Sequence, residues 1–352
     1  MSQSRNSRKL DRRGKGLIVS SVLIALLLSV NVYSYGQQPV TAPGATAENA
    51  KKKTTPKILN PAGDRLLLNR PMGMDFDTSG KLYVADLINR RIRIFEPGKE
   101  IPTKKTIQCG LLVPWGLALD DSDRIFITDT GVHQIRLISA EGKAKATIGR
   151  KGRAPGNFSI PAGVAIDEMR QRLLVADFAN HAVQILSFDG TFLGHIGAIG
   201  QSGRLGASGR REGEFRGPAG VAVDGMGRIY VTDKENCRVQ IFHSTGGFIA
   251  TFGHPGATAG NFDRPSGICV DEDGAIYVCD TFNSRVQIFE PPFAAALEPT
   301  FKVRQVISGK KLTGGPFKLP NACAVSPSGD LYVADTGNNR IVVYPYELIE
   351  PQ

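Results

Sequence analysis

The side chains of this chain that could do chemistry recur at a regular interval. Asp86, Asp129, Asp177, Asp233, Asp280 and Asp335 each close a run of alternating apolar residues, and each stands about fifty residues from the next. A series of carboxylates can hold a cation or move protons, but a short acidic side chain at a turn is also a hydrogen-bond acceptor. We expect each to accept from backbone N–H groups of the turn that follows it, a structural role. His133 and His181 lie four residues after two of these aspartates. Both would sit in equivalent turns of neighbouring units, whose packed sheets are about 10 Å apart, whereas two ligands of one Zn²⁺ must each come within about 2.1 Å of it. The two imidazoles are therefore not expected to share a metal.

Five cysteines leave at least one unpaired within the chain, and neither C-x-x-C nor C-x-x-C-H occurs. Cys269 and Cys279 occupy positions that hold Ala or Thr elsewhere, on neighbouring strands of one unit. They read as small packing residues, and outside the cytoplasm they are also a candidate disulfide.

These residues are positioned by a repeat. The stretch RPSGICVDEDGAIYVCDTFNSRVQIF, residues 264–289, has counterparts beginning near Asn69, Val113, Ile160, Gly217 and Leu319, so there are six copies. Each opens on a proline (Pro71, Pro114, Pro161, Pro218, Pro265, Pro320), and insertions fall between units. Within a unit, runs of four to six residues rich in Val, Ile, Tyr and Phe alternate with period two, which predicts strands. Asp273–Gly274 supplies a tight hairpin turn. A fourth strand follows in most units, as at residues 248–253. One four-stranded antiparallel sheet cannot bury both faces, but six packed radially can. The expected fold is all-β, a six-bladed β-propeller of four-stranded antiparallel blades over residues 56–352. Residues 56–60 are expected to close the last blade.

The pattern P-x-G-V-A-V-D, then I-Y-V-x-D, then N-x-R-V-Q-I-F resembles the NHL repeat, from Leu68 to Tyr344. That resemblance implies a propeller, and it covers interaction modules, RNA binders, sensor domains and a metal-dependent lyase branch, so the fold does not choose among functions. In the lyase branch the metal is implied to be held by His directly after the repeat's proline. Here those positions are Met72, Trp115, Ala162, Ala219, Ser266 and Asn321. No metal and no cofactor are expected.

Residues 1–36 carry a basic segment, then the apolar run LIVSSVLIALLLSVNVYSY from Leu17, which marks export as a cleaved signal peptide or as a membrane anchor through residues 17–35. Residues 37–55 read as a flexible linker. The protein is thus expected outside the cytoplasm, in the periplasm, tethered or released. Of the formal net charge of +10, +5 falls in residues 1–36 and +3 in residues 37–57, so the global charge says little about partners.

Distribution says more. The loops joining fourth to first and second to third strands share one face, and they hold Arg90, Arg150, Lys151, Arg153, Arg204, Arg210, Arg211, Arg238, Arg285 and Arg340. The opposite face holds Asp120, Asp121, Asp271, Glu272 and Asp330. Met72 and the sole tryptophan, Trp115, are placed by the family's geometry near the channel mouth on the basic face, where an exposed Trp would be a binding residue. The insertion at residues 196–215, rich in Gly and Arg, is expected to project from that face. The expectation is a non-enzymatic scaffold that binds an envelope protein or an anionic ligand. The alternative is an exported metal-dependent lyase or hydrolase with its site in the channel; RNA binding is disfavoured by export.

Overall fold

The computed structural model describes residues 54–199, 205–292, 299–310, 312 and 314–349, with the backbone of Val32 and Tyr33. The expected signal or anchor, residues 1–36, and the expected linker, residues 37–55, otherwise lie outside the described residues, except for residues 54 and 55. Among the described residues no helix is long and apolar enough to cross a membrane.

The strands form six four-stranded antiparallel sheets, one per repeat. Blade 2 is typical: Pro114–Leu119 innermost, then Ile125–Asp129, Gln134–Ile138 and Ala144–Ile148. Burial follows from radial packing. The innermost and second strands of blade 2 are buried along their whole length, because both faces of the blade meet a neighbour, while its outermost strand buries only Ile148. This is why the inner strands are nearly continuous in Val, Ile, Leu and Ala.

Blade 6 is made from both ends of the propeller. Pro320–Val325, Leu331–Asp335 and Arg340–Tyr344 are its inner three strands, and Lys57–Leu59 pairs antiparallel with the third, Ile58 facing Val342. Asn60, buried just beyond this strand, donates to the Asn339 carbonyl at 2.7 Å. Val32–Tyr33 runs parallel to the innermost strand of blade 4, Pro218–Val223.

The glycine two residues after the opening proline lies at a bulge, where the register between first and second strands shifts. A Cβ at Gly116 would lie 2.5 Å from the Ala162 carbonyl oxygen of blade 3, so adjacent backbones leave no room for a side chain. Thr128, just before the closing aspartate of blade 2, does more than fit a narrow space. Its hydroxyl accepts from Gly116 N–H at 2.8 Å and donates to the Ala162 carbonyl at 2.6 Å, tying blade 2 to blade 3. Thr232 makes the same bridge from blade 4 to Ser266 of blade 5.

Candidate functional site

The closing aspartates are buried, and each accepts a backbone N–H at 2.7–2.8 Å. The donors correct the expectation. They belong to the loop that enters the blade ahead of its proline, such as Asn69, Ser159 and Lys318, and not to the turn after the aspartate. The turn contributes side chains instead: Asn89, Asn180, Asn236, Asn283 and Asn338 donate to the second carboxylate oxygen.

Five residues after the aspartate, the third strand supplies a cation in four blades. Arg91, Arg238, Arg285 and Arg340 place Nε 2.6–2.8 Å from the carboxylates of Asp86, Asp233, Asp280 and Asp335. The guanidinium ends also cap loop carbonyls, as Arg340 does for Gly314 and Gly315. Arg238, Arg285 and Arg340 are therefore enclosed structural cations, and not the free binding residues that their loop position suggested. Blade 3 has Ala182 at this position, leaving Asp177 with the neutral donors Ser159, Asn180 and Gln184. Full burial without a cation lifts Asp177 to about 7.

The residue four after each closing aspartate adopts a left-handed backbone. His133 and His181 stand there, and each Nδ1 accepts a backbone N–H from the next blade at 3.0 Å, from Ile160 and Gly217. Asn339 plays the same part between blade 6 and blade 1, accepting from Arg70 at 2.9 Å. Burial, with Lys151 near His133 and with Arg153 and Arg216 near His181, holds both imidazoles below their ordinary pKa. They are neutral interblade acceptors.

At the channel the structure buries both residues proposed for its mouth. Met72 and Trp115 lie in one apolar cluster with Ala162 and Ala219, contributed by blades 1 to 4. Trp115 is 2% exposed, enclosed within that cluster. The insertion after blade 3 does not simply project either. Ala198–Ile199 and Leu205–Ala207 pair as a hairpin, Leu205 N–H bonds the Arg153 carbonyl, and Leu205 is buried. Arg204 lies outside the described residues.

What remains free on the basic face, among the described residues, is a run of cations over blades 2 to 5. Arg150, Lys151, Arg153, Arg210, Arg211 and Arg216 are exposed, with no ion pair among the described residues. Their continuity shows in what they perturb: Arg153 and Arg216 both act on His181. Arg264 acts in turn on Lys234, which lies over the rings of Phe178 and Phe282. Lys234 is almost wholly buried, which lowers it to about 8. Arg90 is exposed on the same face, at blade 1.

The opposite mouth of the channel is acidic. A cavity of about 110 Å³ is lined there by Asp77, Asp120, Asp121, Glu168, Asp271 and Glu272, among others. Asp120 is paired with Arg124, and Asp271 accepts from Tyr277 Oη at 2.8 Å. Burial and then repulsion from neighbouring aspartates raise Asp121 and Glu168 above their ordinary pKa. Among the described residues no group of three or more His, Cys, Asp or Glu is arranged to hold a metal ion.

Cys269 does not face Cys279. Cys269 is opposite Tyr277 in the ladder, which puts Cys279 at the diagonal position, about 7–8 Å away and beyond disulfide reach. Its sulfur instead meets Cys323 of blade 6, 2.9 Å away.

Comparison with known proteins agrees with this architecture. The family model described as NHL repeat matches residues 111–136, 215–242, 262–289 and 317–344, the inner strands of blades 2, 4, 5 and 6. Peptidyl-glycine alpha-amidating monooxygenase B of Xenopus laevis is 29% identical over 170 residues, 46% of this chain and 19% of that protein. Protein brain tumor of Drosophila melanogaster is 27% identical over 182 residues, 48% of this chain and 16% of that protein. The chain thus spans under a fifth of the length of these relatives. Among solved structures, a streptogramin B lyase superposes with a TM-score of 0.56 at 13% identity, covering 82% of this chain and 96% of that one, a likeness of fold.

Proposed function

We propose that this six-bladed β-propeller, four of whose blades match the NHL repeat, is a recognition module whose basic face, over blades 2 to 5, binds an anionic partner at the cell envelope. The observation that carries this reading is the division among its cations. The arginines at the third-strand position are consumed by buried aspartates, whereas Arg150, Lys151, Arg153, Arg210, Arg211 and Arg216 are solvent-facing and unpaired among the described residues. Like charges kept together on a surface repel one another, so they favour an incoming anion and steer its approach. We propose further that the apolar run at residues 17–35 exports the propeller, tethered or released.

A second reading is catalytic, and it rests on relatives named as an amidating monooxygenase and a probable amidating lyase. It would use the acidic mouth, where several carboxylates meet in one cavity. Elemental analysis of the purified full chain separates the two, since stoichiometric metal lost together with an activity favours the enzyme. Cross-linking capture from cell envelopes tests the first reading. An Arg153→Glu, Arg210→Glu, Arg211→Glu variant should lose the partner that the unmodified chain retrieves, and equal retrieval would reject the basic face as the binding surface.

A further inference from the structure

Cys269 is on the innermost strand of blade 5 and Cys323 on that of blade 6, and both side chains are fully enclosed. Their sulfurs lie 2.9 Å apart. Ordinary contact between carbon atoms is about 3.5–4.0 Å, and sulfur is larger, so the two thiols are held closer than packing alone requires, with Cys269 donating to Cys323. Around them the space is filled by Tyr277, Val286, Ala322 and Ala324, and the Cys323 thiol also points at the Tyr277 carbonyl, 3.5 Å away. Cys279 joins the same buried cluster as a third thiol and also hydrogen-bonds Cys323, so Cys279–Cys323 is the competing linkage.

We infer that Cys269 and Cys323 are a covalent cross-link site, joining blade 5 to blade 6 as a disulfide when the protein folds in an oxidising compartment. The inference goes beyond the recognition reading and does not depend on it.

The chemistry is thiol–disulfide exchange with the disulfide of a protein oxidant. The thiolate of one cysteine attacks that disulfide and releases one oxidant sulfur, forming a mixed disulfide. The second cysteine, as thiolate, then displaces the remaining oxidant sulfur and closes the Cys269–Cys323 bond. Two thiols lose two protons and two electrons, and the oxidant leaves as its dithiol. Burial raises all three thiols of the cluster above their ordinary pKa, and an enclosed thiol is a poor nucleophile. The exchange therefore belongs to the stage before blades 5 and 6 dock. Once formed, the bond is shielded from reductants by the same packing.

The test uses the full chain, refolded with reduced and oxidised glutathione, then denatured in acid, alkylated and weighed intact. The site predicts three alkylated cysteines out of the five in the chain. Digestion that cuts after Glu272 separates Cys269 from Cys279, and the Cys269 fragment should migrate with the Cys323 fragment until reduced. Cys279→Ser should still protect two thiols, whereas Cys323→Ala should protect none in the Cys269–Cys323 pair. Five alkylated cysteines in the refolded parent chain, or a linkage of Cys279 to either Cys269 or Cys323, would overturn the inference whether or not the variants fold.

Discussion

Arg340→Ala isolates the energetics that organise each blade. Asp335 is wholly buried and Arg340 nearly so, with Nε 2.7 Å from the carboxylate. Removing the guanidinium leaves an acid held only by Lys318 N–H and Asn338, one neutral donor fewer than blade 3 has around Asp177, where Gln184 also donates. Breaking a buried pair by deleting one partner costs about 3–5 kcal/mol. The blade 3 site gives an independent figure: lifting an aspartate from 3.8 to about 7 is roughly 4 kcal/mol against its charged form. The pH dependence follows in sign. A folded-state pKa above the unfolded value means that the native state binds the extra proton between about 4 and 7, so stability falls as pH rises through that window. Burial already raises Asp335 in the parent, so the part of the loss that returns between pH 8 and pH 5 should be positive but below the roughly 2–3 kcal/mol that the full blade 3 shift would give. Urea unfolding at the two pH values, followed by fluorescence of Trp115, the sole tryptophan and a buried one, reads this directly. An equal loss at both pH values, or a loss under about 1 kcal/mol at pH 8, would refute the reasoning.

Other substitutions probe other joints. His133→Ala and His181→Ala each strand an N–H of the next blade and should cost about 1–2 kcal/mol at pH 7.5 in urea unfolding. Because both histidines sit below their ordinary pKa when folded, their contribution is complete above the unfolded value, about 6.5, and is lost as pH falls through the lower folded value. The double variant should show a shallower acid limb than the parent in the same measurement. Gly116→Ala drives a Cβ against the Ala162 carbonyl and should destabilise by about 1–3 kcal/mol, whereas Gly194→Ala, with open space around it, should be near neutral by calorimetry. Deleting residues 56–60 removes the strand paired with Arg340–Tyr344 and exposes an edge. Faster proteolysis near blade 6 and concentration-dependent self-association by sedimentation are the expected outcomes, and parent-like behaviour would contradict them.

The propeller was legible because its signals are local and repeated. Proline at the inner strand's start, glycine two residues on and a closing aspartate after an apolar run recur six times, and each answers a constraint that radial packing imposes on every blade. The site was harder to read because loop position does not reveal what a long side chain does. Arg238 and Arg211 lie on the same face, yet one reaches back to Asp233 while the other stays exposed. The signal that could have sorted them is the fixed interval of five residues from the closing aspartate, shared by Arg91, Arg238, Arg285 and Arg340. Trp115 misled for a related reason: its burial depends on Met72, Ala162 and Ala219 from other blades, which are far apart in sequence. Cys323 was missed as a partner of Cys269 because contact between neighbouring blades, unlike strand pairing within one, leaves no mark at short range.

The central claim, that one face carries the free cations that recognise an anionic partner, is tested most directly by elution from an immobilised sulfated polysaccharide under a salt gradient. The chain with Arg153→Glu, Arg210→Glu and Arg211→Glu should elute at clearly lower salt than one with Lys99→Glu, Lys143→Glu and Lys145→Glu, exposed lysines away from that face. The net charge change is identical in the two proteins and the N-terminal basic residues are shared. Equal shifts would show that overall charge governs binding, and would contradict a basic recognition face.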